Sequence, residues 1–171
     1  FFIAEALASD RVSATRVLAE HGIAASRNDE PVELSVGTFH HLCDALASAC
    51  NLPFLGLDVA TRIPRGTYGL LEFTLRNAPT LFSALEVFST LAPLVKEAGL
   101  VQVEPIAGGA RITEHVAVGP AGRQVGELAM ALWVRIVREI LGVASWAPDR
   151  VCFMHARPET IEPLVAFLGT A

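Results

Sequence analysis

Charge is in short supply. Asp, Glu, Lys and Arg together make up 18% of the 171 residues, where an ordinary soluble chain carries about a quarter. Apolar residues reach 52%, so some apolar surface is expected to be covered by a partner, a ligand or further chain. Positive charge is both scarce and scattered. Thirteen Lys and Arg stand against eighteen Asp and Glu, a formal charge of −5, and the basic residues occur singly. Phosphate backbones are gripped by concentrated positive charge, so this chain is not expected to bind nucleic acid by itself.

Long apolar runs are missing too. The longest segment without Asp, Glu, Lys or Arg is 45–57, broken by Pro53 and Gly56, whereas a bilayer span needs about 20 apolar residues. No membrane partner is expected. Glu5 and Asp10 spoil the basic-then-apolar layout of an export signal, which makes the cytoplasm the expected compartment. Phe1 in place of a methionine points to a segment of a longer protein. Cysteine is limited to three residues, an odd count. Cys43 and Cys50, seven apart on an expected helix, would stand about 10 Å from each other, beyond the roughly 7 Å a disulfide spans. Reduced, buried thiols are expected.

Signatures of catalysis are also lacking. There is no nucleophile elbow, phosphate loop or His-Glu-x-x-His run, so the chain is not expected to be an enzyme. His40-x-x-Cys43 and Cys152-x-x-His155 suggest a four-ligand metal set on paper. On a strand, however, Cys152 and His155 point to opposite faces, and these residues are taken as structural. No metal or cofactor is expected.

Helices dominate what is present. One is expected over about 10–21, stopped by Gly22, with the polar run SRNDEP at 26–31 as a surface connection. Ser35 is placed to cap a second, whose inward face is Phe39, Leu42, Cys43, Leu46, Ala49 and Cys50. A short helix at 54–61 and another at 68–77, with Tyr68, Leu71 and Leu75 inward, are separated by Pro64 and Gly66. Pro79 and Thr80 start the next, with Leu81, Leu85, Phe88 and Val95 inward, and Pro93 should kink it or end it early. VQVEPI at 101–106 and ARITEHV at 110–116 alternate about Gly108 and Gly109, the pattern of a hairpin. The strongest helix covers Gln124 to Leu141; Val125, Leu128, Ala129, Leu132, Trp133, Ile136, Val137, Ile140 and Leu141 are inward, and the apolar Met130, Ala131 and Val134 imply burial on more than one face. RVCFM at 150–154 reads as a short strand, and 160–168 as a last helix interrupted by Pro163. Few short strands among helices give an α+β, helix-rich single domain over 1–171, with a small antiparallel sheet that includes the hairpin near 101–116.

Four segments in order, LGLDVATRIPRGTYGLLEFTLRNAPTLFSAL (55–85), the glycine-turn hairpin, RQVGELAMALWVRIVREILG (123–142) and RVCFMHARP (150–158), resemble the N-terminal, arabinose-binding-like domain of AraC-type bacterial transcription regulators. The resemblance covers nearly the whole chain. It implies a domain that senses a small-molecule effector or mediates dimerisation, with a homodimer as the expected assembly. DNA binding would reside only in a separate C-terminal double helix-turn-helix domain not included in this chain, and the domain itself would continue past Ala171. Glu72 departs from the family pattern, which favours a small residue there.

Tyr68, Glu72, Phe73 and Arg76 lie on one short expected helix whose mixture of apolar bodies and few polar groups suits a ligand pocket. Alternatively, Tyr68 and Phe73 are core, and Glu72 with Arg76 is a solvated i, i+4 pair worth about 0.2–0.5 kcal/mol. Trp133 is a cavity wall or plain core. Glu72, Arg76 and Arg111 are the candidate polar anchors for an apolar or amphipathic effector, and whether Glu72 faces a pocket or water is the open question.

Overall fold

A computed structural model of the protein describes residues 3, 6, 7, 9–23, 32–94, 100–115 and 122–170. Among them are seven α-helices and one two-stranded antiparallel sheet, an α+β arrangement as expected. Helix α1 (Arg11–Glu20) begins where the Asp10 carboxylate accepts from the Ser13 N–H at 3.0 Å, and the chain leaves it through Gly22 at φ +73°. Helix α2 (Val36–Ala49) is capped by Ser35, whose hydroxyl accepts from the Thr38 N–H. Helices α3 (Leu55–Arg62) and α4 (Gly69–Arg76) follow. Helix α5 (Leu81–Leu91) opens with a capping box in which Thr80 and Ser83 each accept from the other's backbone N–H. At Pro93, which has no N–H to offer the ladder, it gives way to a 3₁₀ turn over Ala92–Leu94.

Strands β1 (Leu100–Ile106) and β2 (Gly109–His115) pair with Val101 opposite Glu114 and Val103 opposite Ile112. Helix α6 (Arg123–Leu141) runs through the middle of the molecule, and α7 (Glu162–Leu168) packs against it. Its burial on more than one face follows expectation. Leu128 and Leu132 pack on the α1–α2–α3 cluster around Leu46 and Leu55, and Ala131 and Val134 on Leu57, Leu164 and Leu168. Ile136 packs on Leu71 and Leu75, and Trp133 on Leu85 and Val101.

Several expectations give way. Residues 150–154 form no strand: Val151 and Phe153 turn inward and Cys152 and Met154 outward, so the alternation is present, but among the described residues no neighbouring strand supplies a ladder. Pro163 occupies the first turn of α7 instead of interrupting it, since a missing N–H costs nothing there. On α2, His40 and Ala47 are buried, while Phe39 and Ala49 are half-buried; Leu141 is exposed at the end of α6. Cys43 and Cys50 are free and buried, and burial beside Asp44 pushes the Cys43 thiol up to about 12. Cys152 is free but exposed, contrary to expectation. Residues 26–31, Val95 and Val116 lie outside the described residues.

The start of α6 is held from outside the helix. Its N-cap is Gly122, which has no side chain to accept from the first turn. Asp44 of α2 does so instead, accepting from the Gln124 N–H at 2.9 Å and the Arg123 N–H at 3.2 Å. One turn earlier on α2, His40 Nδ1 accepts from the Gly122 N–H at 2.9 Å. A carboxylate at a helix N-terminus also meets the positive end of the macrodipole. Gln124 then reaches α3, accepting from the Gly56 N–H and donating to the Pro53 carbonyl. Gly56 lets the two helices touch backbone to backbone: a Cβ there would stand 1.9 Å from the Gln124 carbonyl oxygen.

Gly56→Ala is therefore expected to cost about 3 kcal/mol or more, because backbone must move, and Asp44→Ala roughly 1–2 kcal/mol, the usual loss of a cap. Urea unfolding at neutral pH measures both. An Asp44→Ala loss larger than that of Gly56→Ala would contradict this ordering.

Candidate functional site

A cavity of about 190 Å³ lies where α4, α5, the hairpin and α6 meet. Helix α4 contributes Leu71, Glu72 and Leu75, with Tyr68 just before its first turn. Phe88 of α5 and Ala92 after it form a second side, Val101 and Glu114 come from the hairpin, and Ala129, Leu132, Trp133 and Ile136 come from α6. The lining is mainly aliphatic and aromatic because each element turns its apolar stripe inward at this junction. Phe88 meets Trp133 edge-on, with ring centroids 4.2 Å apart, an arrangement favoured by the ring quadrupoles.

Two carboxylates interrupt this lining, Glu114 and Glu72, of which Glu72 is buried. The Arg76 guanidinium holds its Oε1, with Nη2 at 2.5 Å and Nε at 3.1 Å, while Oε2 accepts from the Gly66 N–H at 2.7 Å. Arg76 also binds Glu139 of α6, and Arg65 and Arg135 approach that same carboxylate at 3.5 and 3.8 Å. Rather than a solvated i, i+4 pair, Glu72 and Arg76 belong to a partly buried network that ties α4 to α6. Burial pushes the Glu72 carboxyl up, but the Arg76 and Gly66 bonds outweigh it, and the net shift is downward.

A second buried carboxylate has the opposite balance. Glu127 of α6 is fully buried; its Oε1 accepts from Arg123 Nε at 2.6 Å, and His155 Nε2 stands 3.9 Å away. Its Oε2 has no hydrogen-bond partner. Here burial prevails over Arg123 and His155, and the carboxyl is raised above its ordinary value.

The family model for the N-terminal arabinose-binding domain of AraC transcription regulators matches residues 12–171. The chain belongs to this family. It is an effector-binding regulatory domain of the AraC type, and the domains of this family are not enzymes. No curated protein matches the sequence. No helix among the described residues is long and apolar enough to cross a membrane.

Within this AraC-type domain the candidate residues separate. Tyr68, Glu72 and Trp133 face the cavity. Phe73 does not: it is 64% exposed on the opposite side of α4, together with Leu70 at 77%. Arg76 holds Glu72 from behind and is not part of the wall. Arg111 pairs with Glu104 across the exposed face of the hairpin. His40, Cys152 and His155 line a smaller cavity of about 70 Å³, which does not include Cys43. No group of three or more His, Cys, Asp or Glu among the described residues is placed to hold a metal. Sequence reasoning passed over Glu114, although the alternation Ala110, Ile112, Glu114 sets it on the inner face of the hairpin.

The two glutamates predict opposite pH behaviour. A lowered carboxyl stabilises the fold above its unfolded value of 4.5, and that contribution is lost as pH falls through the folded value. A raised one contributes below 4.5 and loses its contribution as pH rises through the folded value. Glu72→Gln should cost roughly 1.5–3 kcal/mol near neutral pH and flatten the loss of stability on the acid side. Glu127→Gln should cost less near neutral pH than Glu72→Gln. Urea midpoints at a series of pH values test both, and equal losses at neutral pH would count against this assignment.

Proposed function

We propose that the cavity is the effector site of this regulatory domain and that the effector is a small apolar or amphipathic molecule. The observation that carries this reading is the cavity itself, about 190 Å³ of space with a mostly apolar wall in a domain of an effector-binding family. For scale, an apolar cavity of about 150 Å³ accommodates benzene. A free sugar suits this wall poorly. Its hydroxyls each need a partner, and the polar side chains lining the space are Tyr68, Glu72, Glu114 and Trp133, with both Glu72 oxygens already bonded. Tyr68 and Trp133 are the contacts, and Glu72 with Arg76 sets the position of α4.

The protein acts as a homodimeric regulator whose DNA contacts belong to another domain. Effector binding shifts the equilibrium between arrangements of the attached DNA-binding domains by as much as its affinity differs between them. Support for a dimer contact comes from Leu70 and Phe73, exposed on the outer face of the helix whose inner face walls the cavity. A net charge of −5 fits a sensor that leaves DNA to another part of the protein.

Thermal shift against a metabolite panel tests the sensing role. An effector at a hundred times its Kd should raise Tm by about 5–10 °C. Ala129→Phe, which fills the space, should abolish that shift, whereas Phe73→Ala should leave it intact. Sedimentation velocity tests the dimer: Leu70→Glu with Phe73→Glu should shift the domain toward monomer, and unchanged sedimentation would place any dimer contact elsewhere.

A further inference from the structure

The polar groups of the cavity differ in what they still have to offer. Both Glu72 oxygens are taken, by Arg76 and by the Gly66 N–H. Glu114 is engaged in an interaction of its own. No Arg or Lys side chain among the described residues lines the wall. By contrast, among the described residues neither the Trp133 indole N–H nor the Tyr68 hydroxyl has a hydrogen-bond partner. The buried polar atoms that lack partners belong to Arg123, Glu127, Arg135 and His155. Trp133 and Tyr68 are not among them, so their polar atoms keep some accessible surface, and both side chains line this cavity.

An indole N–H can only donate. Burial raises the Tyr68 hydroxyl above its ordinary value, which keeps it protonated as a second donor. An anionic ligand would find no Arg or Lys in the wall, since the guanidinium that acts on Tyr68, Arg135, is bonded to the Ala60 carbonyl and stands beside Glu139, and a cation would find Glu72 already held by Arg76. We infer that the effector is an uncharged molecule bearing an acceptor oxygen of the ketone, ester or lactone kind, read by the Trp133 N–H and the Tyr68 hydroxyl against a mainly apolar wall. This rests on the cavity being the effector site. The carbonyl oxygen accepts from both donors, while the apolar body meets the aliphatic and aromatic wall.

Four single-ring probes of similar size separate the possibilities: acetophenone, ethylbenzene, benzoate and benzylamine. Each is titrated into the ¹⁵N-labelled domain, and the Trp133 indole resonance, assigned by its loss in Trp133→Phe, reports the hydrogen bond. Acetophenone should bind at least about fivefold more tightly than ethylbenzene, the worth of one net hydrogen bond, and shift the Trp133 indole proton downfield. Benzoate and benzylamine should bind more weakly than ethylbenzene. Trp133→Phe should bring acetophenone down toward ethylbenzene, as should Tyr68→Phe, which keeps the ring and its packing. Ethylbenzene binding as well as acetophenone, or either charged probe binding best, overturns this inference and leaves the cavity as the effector site. Failure of all four to bind overturns both.

Discussion

Helix α6 cannot cap its own beginning, and the rest of the domain is arranged around the side chains that do it instead. Gly122 gives the first turn no acceptor, so Asp44 and His40, one turn apart on α2, receive its amides. Because α2 must lie across the start of α6, Gln124 is brought beside α3, where only a glycine at 56 leaves room for two backbones. From that fixed point α6 extends between the other helices and presents a different apolar residue to each of four clusters.

Buried charge sits on α6 at two levels and does different work at each. Glu127, near the start, is enclosed so fully that Arg123 and His155 do not offset its burial. Glu139, near the end, is shared by Arg76, Arg65 and Arg135, and through Arg76 it positions Glu72 on α4. Such a pair is costly to break from one side while adding little over a well-packed apolar substitute, so its main effect is on geometry. Here the geometry is the placement of α4, and with it the wall formed by Leu71 and Leu75.

Local chemistry was legible in the sequence wherever it was sufficient by itself. Ser35 and Thr80 announce helix starts, Pro93 a helix end, and Gly108 with Gly109 a turn, because each acts within a few residues of its own position. Residues 150–154 show the limit: their alternation is real, but a strand requires a second strand, and nothing in five residues reveals whether one lies alongside. The i, i+4 spacing of Glu72 and Arg76 was equally plain, yet its burial depends on Glu139, 63 residues later. Phe73 was assigned to the pocket on hydrophobicity, although the period that turns Leu71 and Leu75 inward turns it outward. Periodicity, caps and turns supplied the architecture, while the polarity of the cavity wall had to come from packing.

The space between α4, α5, the hairpin and α6 is open to solvent on one side. What it holds can therefore be exchanged without any element leaving its place. Entry and exit are limited by diffusion and by the side chains at the mouth, not by unfolding. The same opening that admits a ligand also lets it leave.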